Sequence, residues 1–228
     1  MYVPAAFAVE DRAEILESLR SNGFGHLVTA GATAPDESVS GLTSTALPFV
    51  VDDDLAVLRA HFARANRHWK SIDGGPALLI VPIVDAYVSP RWYPTKQERG
   101  EVVPTWNYEL IQIHGTIEVC DDRQSVLAIV RALTEHQEQR SIAPDRADGN
   151  QADRPWQVED APDDFIAKQL KAIVGVRLVI DRIEAKRKLS QNRSDSDRLG
   201  TVAGLGASPR PGDRATAARM EATGPVPT

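Results

Sequence analysis

"VPTWNYELIQIHGTIEV", Val103–Val119, decides the fold class. Its C-terminal half alternates. Ile111, Ile113, Ile117 and Val119 fall on one face, and Gln112, His114, Thr116 and Glu118 fall on the other. A period of two marks a strand with one face toward a core. Outward from it, "HLVTA" (26–30), "VSGLTSTALPFVV" (39–51), "LAVLRAHF" (55–62), "ALLIVPI" (77–83) and "VGVRLVIDRI" (174–183) also read as extended. "APDES" (34–38) and "DDD" (52–54) break them, and "DAYVSPRWYP" (85–94) is extended but interrupted by proline. Six or seven strands, many joined by short turns, predict a mainly β, α+β fold: a small antiparallel barrel with helical additions.

The helices are fewer. "DRAEILESLRSNGFG" (11–25) carries an apolar stripe of Ile15, Leu16 and Leu19. "DRQSVLAIVRALTEHQEQ" (122–139) carries Val126, Leu127, Ile129, Val130 and Leu133. "PDDFIAKQLKAI" and "SDSDRLGTVAGL" predict two short helices, the second capped by Ser194 or Asp195, and "ARANRHWKSI" reads as a helical connector. Residues 141–160 read as a long surface loop. From Ala207 the chain has almost no large apolar residues, which predicts one domain over 1–206 and a disordered tail over 207–228.

Composition narrows the function. The 228 residues are 42% hydrophobic and 25% charged, with a net charge of -6, which disfavours broad binding to a polyanion. The single cysteine, Cys120, excludes an intrachain disulfide. The five histidines (26, 61, 68, 114, 136) have no metal-ligand spacing, so no metal is expected. There is no Walker loop, GxGxxG or GxSxG. The longest apolar run, "ALLIVPIV", falls far below the ~20 residues of a membrane span. The N-terminus has no basic signal region. A soluble, cytoplasmic protein is expected.

Four blocks concentrate aromatic and polar residues: "HFARANRHW" (61–69), "AYVSPRWYPTK" (86–96), "VPTWNY" (103–108) and "KLSQNRSDSD" (188–197). They hold three of the four tryptophans and three of the four tyrosines. Aromatic rings stack on a heterocycle, amides match ring carbonyls and nitrogens, and Arg, Lys, Ser and Thr hold phosphate. FMN needs all three. The expected flavin contacts are Arg64 and Lys188 at the phosphate, with Ser89 or Thr105. Trp92, Trp106 and Tyr108 would wall the ring, and Asn66, Asn107, Gln191 and Asn192 would meet its polar edge or the ribityl chain. Trp69, Tyr93 and Lys96 complete the candidate set. From Arg182 to Arg193 five cations face one acid, a local charge of +4, but "SDSD" follows and no DNA-binding motif is present. Direct DNA binding is therefore weakly supported.

At these blocks the chain resembles the PaiB-like family, FMN-binding negative transcriptional regulators. "MYVPAAF", "FGHLVTA", "HFARANRHW", "YVSPRWY", "VPTWNY", "HGTIEV" and "KLSQNR" carry the likeness, in order, from residue 1 to about 205. The resemblance implies a split β-barrel of the pyridoxamine-phosphate-oxidase-like kind. It also implies a homodimer with FMN at the subunit interface, and a repressor role exercised on DNA or through a protein partner. Three departures stand out. Ala46 replaces a histidine of the family pattern, "ANRHW" replaces "ANPQW", and "PIVDAYVSP" lacks a glycine-proline. A flavin-dependent oxidoreductase and a scaffold that has lost flavin are the alternative readings.

Overall fold

The computed structural model describes residues 1–30, 41–96, 100–141 and 154–224. The "APDES" break and most of the expected 141–160 loop lie outside the described residues. Seven strands form the sheet: β1 (Ala8–Val9), β2 (Phe24–Ala30), β3 (Leu42–Val51), β4 (Val57–Ala63), β5 (Pro76–Val88), β6 (Thr105–Cys120) and β7 (Ile173–Lys188). Their order is β1-β7-β4-β3-β2-β5-β6, and β6 pairs again with β7. The helices are α1 (Arg12–Asn22), α2 (Arg123–Ser141), α3 (Asp163–Leu170), α4 (Asp195–Gly206) and α5 (Pro211–Thr223). The fold is mainly antiparallel and split-barrel-like, as expected. Among the described residues no helix is long and apolar enough to cross a membrane.

The chain divides into two units. The first comprises Met1–Ser18, Val81–Gln112 and Glu184–Thr228. The second comprises Leu19–Ile80 and Ile113–Ile183. In the second unit β4 buries Leu58, Ala60 and Phe62 and pairs with β7 at Leu178, Val176 and Val174. On α2, Val126, Ile129 and Leu133 are buried, and the latter two cluster with Val50 of β3. In β6, a Cβ at Gly115 would overlap the Val179 carbonyl, so the strands approach here only because the residue is glycine.

In the first unit the alternation of β6 reaches back further than its isoleucines. Glu109 and Asn107 are buried in the same register as Ile111. Glu109, 3% exposed, accepts hydrogen bonds from two guanidinium groups. Arg187 of β7 donates through Nη2 to Oε1 at 2.8 Å and through Nε to Oε2 at 3.1 Å. Arg219 of α5 donates through Nη2 to Oε1 at 2.8 Å and through Nε to Oε2 at 2.7 Å. Arg187 also pairs with Glu14 of α1 at 2.7 Å. Two acids and two bases leave the cluster electrically neutral.

The expected disordered tail is corrected by α5. Six of the 13 residues of Pro211–Thr223 are Ala or Thr, with Pro211 in the first turn; alanine has the best helix propensity, and proline is tolerated at that position. The few anchors suffice because each is well placed. Met220, 0% exposed, joins Ala86, Leu189, Leu205 and Ala217 in a buried cluster. Arg219 reaches Glu109, and Arg198 of α4 donates to the Met220 carbonyl.

Burial alone would raise the Glu109 pKa, but the bonds from Arg219 and Arg187 outweigh it and hold the value below 4.5. Its contribution to stability is therefore complete above the ordinary carboxylate range and is lost as pH falls through the depressed value. We expect Glu109→Gln to cost about 2–4 kcal/mol in urea unfolding at pH 7, since it leaves two partly buried cations short of a charge. The cost should shrink in acid. A variant with the wild-type midpoint at pH 7 would contradict the assigned role.

Candidate functional site

The site begins at the end of β7. Strand alternation sends Arg187 inward to Glu109 and puts Lys186 and Lys188 on the opposite face. Lys186 is 7% exposed. Its Nζ donates to the Tyr2 carbonyl at 3.1 Å and lies 5.5 and 5.2 Å from the ring centres of Tyr2 and Tyr108. Lys188 Nζ donates to Thr105 Oγ1 at 2.7 Å and to the Trp106 carbonyl at 2.5 Å. Burial first, then the charges of Lys186 and Arg193, push the Lys188 pKa below 10.5. Among the described residues neither lysine has a carboxylate partner. Two lysines without a carboxylate partner, beside one hydroxyl, are donor chemistry that a phosphate monoester fits.

The turn after β7 is held from within. Ser190 takes a left-handed φ of 63°, and its hydroxyl exchanges hydrogen bonds with the buried Asn107 amide at 3.0 and 3.1 Å. Asn107 Nδ2 also lies 3.4 Å from Met220 Sδ. Gln191 turns back on its own strand: Oε1 accepts from Leu189 N and Nε2 donates to the Arg187 carbonyl, both at 2.6 Å. Asn192 is exposed. Ser194, one of the two expected caps, accepts from Asp197 N at 3.3 Å. Asp197 in turn accepts from Thr95 N at 3.2 Å and from Thr95 Oγ1, which ties "YVSPRWYPTK" to α4.

Three of the four blocks therefore meet by direct bonds in the first unit. Trp106 is half-exposed, donates its indole N–H to Asp85 at 3.0 Å and meets Tyr87 edge-on at 6.0 Å. Ser89 Oγ accepts from Arg91 N at 3.4 Å. Tyr93 is buried under the Arg193 guanidinium, 5.1 Å from its ring centre, and Lys96 is exposed. Trp92 lies against Gly204 of α4, where any Cβ would overlap the indole. The amide groups of Asn107 and Gln191 are thus engaged internally, while Trp106 and Asn192 are exposed and Lys188, Thr105 and Tyr108 are partly exposed.

The fourth block lies in the second unit and has its own network. Arg64 donates to the carbonyls of Lys171 (2.8 Å) and Ile173 (3.1 Å) and pairs with Asp121. Trp69 Nε1 donates to the Arg64 carbonyl at 3.1 Å. Asn66 accepts from His68 N and donates to Thr45 Oγ1, both at 3.1 Å. His68 is buried, with Nε2 and Nδ1 each 2.7 Å from a hydroxyl, of Thr29 and Thr45 respectively. Burial pushes its pKa down, which favours the neutral ring. Ala46 is exposed on β3, opposite His26.

Lys186, Tyr2 and Glu109 lie outside the expected set. The signal for Glu109 was present: counting back by twos from Ile111 puts a carboxylate on the core face, where it must find cations.

The fold is split-barrel-like and antiparallel, and its family places it in a class of flavin-binding proteins. Residues 1–182 match the family described as "Putative FMN-binding domain", and the chain belongs to that FMN-binding family. It is 27% identical to "Protease synthase and sporulation protein PAI 2" of Bacillus subtilis over 97% of each chain, which makes the likeness PaiB-type. It is 30% identical to a protein of Emericella nidulans over 90% of each chain. The conserved hypothetical protein Rv2991 of Mycobacterium tuberculosis shares the fold (TM-score 0.52, 16% identity, 88% of this chain and 93% of that one). So does the flavocytochrome Anf3 of Azotobacter vinelandii (TM-score 0.51, 16% identity, 80% and 69%).

Gly204→Ala should cost about 1–3 kcal/mol by forcing Trp92 off α4. Chemical denaturation followed by tryptophan emission tests this, and an unchanged midpoint and spectrum would refute the packing role.

Proposed function

We propose that the chain binds FMN as a homodimer and acts in negative control of transcription, the role that the PaiB-like resemblance implies. The observation that carries the flavin assignment is Lys188, which bonds to Thr105 and has Lys186 and Arg193 as neighbours and no acid among the described residues. In this reading Lys188, Thr105 and Arg193 hold the phosphate. Trp106 and Tyr108 wall the ring, and Asn192 meets the polar edge or the ribityl chain. A bound FMN supplies reversible electron and hydride chemistry; the chain orients it and limits its contact with water.

The outward face of β2 and β3 supports the dimer. Phe24 pairs with Pro48, His26 with Ala46 and Ala30 with Leu42 across this face, and Phe24 and Leu42 are 49% and 64% exposed. A sheet face that exposes Phe24, Pro48 and Leu42 suits a second copy of itself. The similarity to the sporulation protein over 97% of the chain supports the regulatory role.

Lys188→Ala is expected to weaken FMN binding about tenfold or more, the loss of one charged hydrogen-bond donor. In the unaltered chain, FMN association should fall as pH rises, starting below the ordinary lysine value of 10.5, because deprotonation removes the cation. Flavin fluorescence titration reads both, and a variant that binds FMN as the parent does would overturn the placement. Leu42→Asp should convert a dimer to a monomer in light scattering. For regulation, a gel shift on upstream DNA that survives competitor supports direct repression. NAD(P)H-driven turnover without such a shift would move the reading to an oxidoreductase.

A further inference from the structure

A cleft of about 590 Å³ lies in the first unit between the end of β5 and the α4–α5 connector. That size is ordinary for a small-molecule site. Tyr87, Ser89, Arg91 and Trp92 line one side, and Arg210 and Asp213 line the other. Its chemistry is one-sided. Arg91 and Arg210 form no ion pair among the described residues, and the Arg91 guanidinium carbon sits 5.6 Å from the Trp92 ring centre. The Ser89 and Tyr87 hydroxyls and the Trp92 indole N–H donate no hydrogen bond among those residues. The one acid, Asp213, is largely buried and already accepts from Ser208 Oγ at 2.6 Å. Donors and aromatic surface are thus offered together, with a small net positive charge in a chain that totals -6. Two of the walls are fixed: Trp92 by Gly204, and Tyr87 by its edge contact with Trp106.

We propose that this cleft binds a second ligand, a planar aromatic ring bearing a phosphate or carboxylate, separately from the flavin. The arginines take the anion, with bidentate geometry available to each. Trp92 and Tyr87 take the ring, and Ser89 adds a neutral donor. The site does not depend on the flavin assignment.

The test is calorimetric titration of the full chain, with FMN added, using adenosine monophosphate and 4-hydroxybenzoate as probes of the two anion types. Saturable binding of at least one probe is expected. Arg91→Ala and Arg210→Ala should each weaken it about tenfold or more. Flavin retention should stay unchanged in both, and Lys188→Ala should leave probe binding unchanged. The proposal fails if neither probe saturates, or if both arginine variants bind as the parent does. It also fails if either variant loses FMN, since the cleft would then be the flavin's own.

Discussion

The Glu109 carboxylate, held by Arg187 and Arg219, is the interaction on which the first unit depends. It joins β6 to β7 and to α5, and through Glu14 it reaches α1. A buried ionic cluster of this kind is not a cheap source of stability, because desolvation offsets much of the attraction. Its effect is positional. With Arg187 committed inward, alternation leaves Lys186 and Lys188 on the other face of β7, where no acid neutralises them. The cation cluster is thus a consequence of where the one buried carboxylate lies. A strand read one residue out of register would exchange the two roles.

Much of this was legible in the sequence. The long strands lie where extended segments are read, although β5 runs unbroken from Pro76 to Val88 across two of them, and Ser194 caps α4 as its position before "DSD" requires. The inward places of Glu109 and Asn107 were obscured because polar residues at core positions look like a break in the pattern. Gln191 resembles a ligand donor in sequence, yet its amide completes backbone bonding at the end of β7. Helix α5 escaped notice because its packing rests on Met220 and on small residues, which a count of large apolar side chains undervalues. β1, two residues long, is too short for periodicity to reveal.

The departures from the family pattern have physical readings in the second unit. His68 takes a buried place between two threonine hydroxyls, beside the Phe62 ring at 5.4 Å. A neutral imidazole there has a donor and an acceptor, and a rotatable hydroxyl can answer either. The substitution is therefore absorbed by the interior. Ala46, in contrast, faces outward beside His26, so the loss of a larger polar side chain leaves that part of the sheet smoother and more apolar.

Arg219 donates to the Glu109 carboxylate from 110 residues along the chain. Their fates under mutation are therefore joined. A chain cut before α5 would leave the buried Glu109 with one of its two guanidinium partners. An apolar residue at 109 would leave Arg187 and Arg219 without their shared anion and weaken the tie on the last helix. The C-terminal segment, which falls beyond the matched 1–182 region, is thus tied through one carboxylate to a strand at the middle of the sequence.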